Sequence, residues 1–182
     1  MEFTVSYIVS QVCVVFTYLF LALSYYAKSR KVVLLLSFLS LIANGATYVL
    51  LNAYSGFAMC VLAFARNIIF MIDEKKNGQR DEINKKDIII LVLLYTASII
   101  SAIFTFDGFL SLHSVIATML YTYSVWQKKT KVYKFLGMPI GVLWILYNLY
   151  VKSILGVILE AVLLVCSTTG YILEVKKDKQ EN

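Results

Sequence analysis

The chain has 182 residues, of which 60% are hydrophobic and 14% aromatic, with a mean hydropathy of +0.76. That composition leaves too little polar surface for a soluble domain of this length. A formal net charge of +6 is then explained by membrane topology and anionic lipid headgroups, not by nucleic acid.

Seven apolar stretches follow in order: residues 4–27, 32–51, 56–72, 88–104, 109–126, 133–151 and 154–173. Each is near the ~20 residues that a helix needs to cross ~30 Å of hydrocarbon. The first lacks a basic leader and is longer than a secretory signal core, so it is expected to be a spanning helix. The connections at 52–55, at 105–108 and around Lys152 are short, which makes consecutive helices antiparallel neighbours. Lys28, Arg30 and Lys31 lie in the first connection, and Lys75, Lys76, Arg80, Lys85 and Lys86 in the third. Lys128, Lys129, Lys131 and Lys134 lie in the fifth, and Lys176, Lys177 and Lys179 in the tail. Fifteen of the 17 Lys and Arg thus share one face, Lys152 sits opposite, and Arg66 falls inside a stretch. The positive-inside rule then places the N-terminus outside and the C-terminus in the cytoplasm. Trp126, Tyr25, Tyr26, Tyr54 and Tyr150 fall near stretch ends, as interfacial aromatics do.

Displaced by about one hundred residues, the two ends of the chain correspond. Lys28-Ser-Arg-Lys31 falls on Lys128-Lys-Thr-Lys131, and Gly45-x-x-Tyr48 on Trp144-x-x-Tyr147. The expected fold is an all-α membrane protein with seven transmembrane helices in a 3+1+3 parallel repeat. Its parts are a first triple-helix bundle (1–72), a cytoplasmic loop (73–87) and a linker helix (88–107). A second bundle (108–175) and a cytoplasmic tail (176–182) complete it. The linker helix lets both bundles cross in the same sense.

Three segments carry a resemblance to the bacterial inner-membrane YgjV family. They are Ala65-Arg-Asn-Ile-Ile-Phe70, Pro139-x-x-x-x-Trp144-Ile-Leu-Tyr-Asn148 and Gly156-Val-Ile-Leu-Glu160. More distantly, the 3+1+3 layout and Trp144-x-x-Tyr147-Asn148 resemble the SWEET, semiSWEET and PQ-loop transporters. There a Trp and an Asn about sixteen residues later flank a sugar; here the second place is Glu160, and the places in the first bundle are Gly45 and Cys60. The resemblance also implies several hinge prolines and a Pro-Gln pair, whereas this chain has one proline, Pro139, and Gln11 follows Ser10.

Ionisable side chains inside spans each need a physical account. Arg66 either snorkels to the inner headgroups or sets a fixed cation beside Asn67, suited to an anionic or polyhydroxyl ligand. Glu160 is too short to snorkel and is protonated, partnered or facing water; His113 enters its helix at a similar depth and could share a proton with it. The candidate substrate-binding set is Trp144, Tyr147, Asn148, Asn67, Glu160 and Asn44, with Pro139 as a hinge. Gly56, Cys60, Ala63 and Asn67 form one helical stripe, and Gly156, Glu160 and Ser167 its counterpart, fit either for close packing or for lining a cavity. No phosphate loop, metal pair or nucleophile elbow is present, so neither an enzyme nor a metal or cofactor is expected. The expected partners are the lipid bilayer and a small polar solute. Two functions stay open: a small-solute carrier, and a non-transporting interaction or receptor-like membrane protein.

Overall fold

The computed structural model describes residues 5–50, 54–77, 83–104, 111–150 and 154–181, and every element among them is an α-helix. The helices are α1 (Val5–Ser24), α2 (Arg30–Leu50), α3 (Tyr54–Asn77), α4 (Lys85–Phe104), α5 (Ser111–Trp126), α6 (Thr130–Tyr150) and α7 (Ile154–Glu181). Four of them, α1, α2, α6 and α7, are long and apolar enough to cross a membrane, and Val115–Trp126 is a shorter apolar helix. The short connections expected at 52–55, 105–108 and 152 lie wholly or mostly outside the described residues.

The chain divides into two compact units, Met1–Gly78 and Gln79–Asn182. In the first, α2 packs on both α1 and α3. The face that α1 turns inward is not its most apolar one: its buried residues are Ser10, Thr17 and Ser24, spaced by seven, while Val5, Val12, Val15 and Leu19 face outward. In hydrocarbon large apolar side chains gain nothing from burial, so small residues that let backbones approach take the interface. Each hydroxyl satisfies itself on its own helix: Ser10 donates to the Tyr7 carbonyl (2.7 Å), Thr17 to Cys13 (2.9 Å) and Ser24 to Leu21 (2.6 Å). From α2, Ser37, Ser40, Gly45 and Thr47 are buried, and Thr47 Oγ1 reaches the Ser10 carbonyl at 3.4 Å.

In the second unit the neighbours run in chain order: α4 on α5, α5 on α6 and α6 on α7. A capping box starts α4, the Asn84 N–H donating to Asp87 Oδ2 at 2.9 Å. Trp126 Nε1 donates to the Asp87 carbonyl at 2.9 Å, so α4 begins where α5 ends. Tyr121 meets Tyr133 across α5 and α6, and Phe135 meets Tyr171 across α6 and α7. In each unit these contacts bring the basic connections to one end. The start of α2 and the end of α3 share it in the first unit; the start of α4, the α5–α6 turn and the end of α7 share it in the second.

Two boundaries differ from the sequence expectation. Helix α3 continues through Asn77 and α4 starts at Lys85, so much of the expected loop 73–87 is helical. Helix α7 continues to Glu181, so the expected tail is helix as well. Asp, Glu, Lys and Gln at 73–76 and 176–181 carry no helix breaker, and lysines in a last turn suit the helix dipole.

Enlarging a residue of the tight seams should separate the helices. Ser24→Leu and Ser37→Leu should each cost about 1–3 kcal/mol. Leu35→Ile, on an outward face, should stay within about 0.5 kcal/mol. Thermal unfolding of the purified protein in mild detergent measures all three.

Candidate functional site

The sequence-predicted residues fall into two groups, one in each unit. Asn44, Arg66 and Asn67 belong to the first. Asn67 is fully enclosed (0% exposed), and its Nδ2 donates to the Leu34 carbonyl at 3.4 Å. Its Oδ1 is buried and has no hydrogen-bond partner among the described residues. Arg66 is buried beside it. It stands two turns short of Glu74, about 12 Å along the helix. Asn44 is half-buried. Next to it, Gly45 gives space to Cys60, whose Sγ would stand 3.6 Å from a Cβ there and donates to the Leu41 carbonyl at 3.3 Å.

His113, Trp144, Tyr147, Asn148 and Glu160 belong to the second unit. Glu160 is 8% exposed and shares the buried face of α7 with Leu163, Ser167 and Gly170. Trp144 and Tyr147 are half-buried, with ring centroids 5.7 Å apart in an edge-to-face arrangement. Axial levels follow from the contacts between helices. A Cβ at Gly141 would stand 3.4 Å from the Leu164 Cβ, so the next turn of α6, with Trp144, lies level with Glu160 on antiparallel α7. Asn148 is then level with Gly156. The Tyr121–Tyr133 contact puts half-buried His113 near the level of Gly141, about one turn nearer the basic end than Glu160. One unit therefore holds an enclosed carboxylate, an aromatic pair and a carboxamide within about two turns of one another. Such a set can hydrogen-bond a polar solute, stack on it and exchange a proton with it.

Pro139 lies inside α6, which runs unbroken from Thr130 to Tyr150. Proline removes the hydrogen bond to the Phe135 carbonyl, so the helix has a weakened turn there and not a break.

The strongest polar contacts were not picked out by sequence reasoning; they sit at the basic ends. Arg30 is buried, with Nη1 2.5 Å from Glu74 Oε2 and 3.9 Å from Asp73 Oδ2, and its guanidinium centre is 5.9 Å from the Phe70 ring centroid. In the second unit Glu174 accepts from Thr130 Oγ1 at 2.6 Å and from the ammonium of buried Lys134. Lys131 donates to Asp178 at 2.5 Å. Both side chains of this last pair are half exposed, so its contribution is small. Glutamates at 74 and 174, one hundred residues apart, carry the signal in the sequence.

The family model described as Imp-YgjV, bacterial inner membrane protein, matches residues 8–177. The chain belongs to this family. It is thus a protein of the bacterial inner membrane, in keeping with its membrane-length helices. No curated protein and no solved structure matches it.

The Gly141–Leu164 contact sets the level of Glu160 against Trp144 and can be probed directly. Gly141→Leu should destabilise the protein by about 1–3 kcal/mol. Adding Leu164→Ala should restore part of that loss, so the two changes are expected to be non-additive in a double-mutant cycle followed by thermal unfolding.

Proposed function

We propose that this protein is a small-solute carrier of the inner membrane, with Glu160 as its central polar group. The observation that carries the reading is Glu160 itself, a carboxylate enclosed within an apolar helix at the axial level of Trp144. An ionisable group within a spanning helix costs a few kcal/mol in hydrocarbon, and such groups usually mark a solute or proton path. His113, about one turn away, is the proposed proton partner. Arg66, Asn67 and Asn44 form the polar complement of the first unit. The partners in this reading are the bilayer and a small polar solute; enzyme chemistry and nucleic acid have no part in it.

The proposed architecture is the 3+1+3 parallel repeat, N-terminus outside and C-terminus cytoplasmic. Its support is the gathering of basic connections at one end of each unit and a burial pattern that recurs after one hundred residues. Buried Ser24, Val33, Ser37, Ser40, Cys60 and Asn67 are matched by buried Ser124, Tyr133, Gly137, Ile140, Glu160 and Ser167. Contacts recur at the same displacement, Arg30–Glu74 as Thr130–Glu174. A membrane-impermeant thiol reagent tests the orientation: Lys129→Cys should react only after the membrane is opened, and Lys152→Cys in intact cells. The reverse pattern would reject it.

A second reading, a non-transporting interaction or receptor-like protein, is favoured by one observation. Asn67 bonds the Leu34 carbonyl inside the α2–α3 packing, as a structural amide does. Reconstitution separates the two readings. Proteoliposomes should take up at least one solute from a panel of sugars, amines and organic acids, with and without a pH gradient. Glu160→Gln should lower that uptake by about tenfold or more, while the outward-facing Val165→Leu leaves it unchanged. Absence of flux for the whole panel, with a partner captured by the wild type and lost in Trp144→Ala, would favour the second reading.

A further inference from the structure

The basic ends of the two units are built on the same four positions, one hundred residues apart, with the chemistry redistributed among them. In the first unit Arg30 and Leu34 on α2 oppose Phe70 and Glu74 on α3. Arg30 donates to Glu74 Oε2 at 2.5 Å, its guanidinium lies over the Phe70 ring, and Leu34 is buried a turn further in. In the second unit Thr130 and Lys134 on α6 oppose Gly170 and Glu174 on α7. Thr130 donates to Glu174 Oε1, and Lys134 donates to Glu174 Oε2. The glutamate is common to both. The cation has moved one turn along its helix, from position 30 to 134, and a hydroxyl fills the place it left. The ring has gone too: Phe70 corresponds to Gly170, and the Phe135–Tyr171 contact puts Gly170 at the level of Lys134.

We infer that these quartets are one interchangeable clamp that fastens the middle helix of each trio to its last helix. The residue at 70 or 170 decides where the cation sits. Arginine carries a planar fork that can bond a carboxylate and lie on a ring at once, so it takes the outer place with Phe70 beside it. Lysine carries a flexible stem able to span a helical turn to the same carboxylate, and a glycine opposite leaves room for that stem. Both cations are enclosed, Arg30 at 3% exposed and Lys134 at 4%, so neither clamp is a loose surface pair. Removing one cation leaves a partly buried carboxylate without its charge partner, which is costly; moving the cation by a turn keeps the charges matched. The inference rests on the hundred-residue correspondence given above and is independent of whether any solute is carried.

The test exchanges the quartets. Arg30→Thr should lower the unfolding temperature of the detergent-purified protein by roughly 5–15 °C, as expected for breaking a buried pair in a chain of this size. The combination Arg30→Thr, Leu34→Lys, Phe70→Gly should regain at least half of that loss. In the second unit Lys134→Leu should cause a similar fall, and Thr130→Arg, Lys134→Leu, Gly170→Phe should reverse it. Recovery in either unit supports the interchange. If neither combination is more stable than its single parent, the inference is overturned. Recovery alongside reversed thiol labelling would keep the clamp and reject the proposed orientation, and recovery without flux would keep it and reject the carrier.

Discussion

In hydrocarbon the usual driving force for joining helices is missing, because lipid tails are as apolar as leucine. Everything else in this fold follows from that constraint. Large side chains such as Leu35, Ile42, Val49 and Leu149 turn outward, and the seams are left to Ser10, Thr17, Ser24, Ser37, Ser40 and Thr47. A hydroxyl in such a seam needs a partner, and most of these take a carbonyl one turn back on their own helix. The interface therefore needs no polar group from across the seam, and two helices can approach by shape alone. Thr47 goes further and shares its hydroxyl with the Ser10 carbonyl of α1.

Where the helices leave the hydrocarbon the balance of forces changes. Basic residues gather there, and crowded cations would repel one another without acids among them. Glu74 and Glu174 stand at the ends of α3 and α7 in matching places, each with a buried cation from the helix beside it. The continuation of α3 to Asn77 and of α7 to Glu181 has the same origin. Those last turns bring Glu74, Glu174 and Asp178 within reach of Arg30, Lys134 and Lys131. A chain that unwound at the hydrocarbon boundary could not hold its acids there.

Helix number and approximate limits were legible from hydropathy, because a spanning segment has to be long and apolar. The helical extensions were less legible, since charged turns past the boundary resemble solvated loop in composition. Asn67 and Glu160 could be read as enclosed positions from the stripes Gly56–Cys60–Ala63–Asn67 and Gly156–Glu160–Ser167, which repeat at helical spacing. The stripe could not say whether enclosure meant packing or a cavity, and Asn67 settles on the Leu34 carbonyl. The clamps escaped notice for a physical reason. Arg30 and Lys134 look like members of a basic loop, and only three-dimensional register pairs them with acids some forty residues away.

The two units differ most where they are furthest from their basic ends. Near those ends the buried positions coincide, from Ser24 and Ser124 to Phe70 and Gly170. Toward the other end small residues in the first unit face large or charged ones in the second. Tyr48 and Tyr147 are half-buried alike, but Gly45, close against Cys60, corresponds to half-buried Trp144. Cys60, fitted against α2, corresponds to Glu160. Two units packed for the same purpose have no need of this difference. Packing of small residues explains the seam of the first unit around Gly45 and Cys60. It does not explain the second, where a tryptophan and a carboxylate occupy a stretch that Gly and Cys would seal better. In the carrier proposed above, Trp144 and Glu160 are the groups that meet the solute.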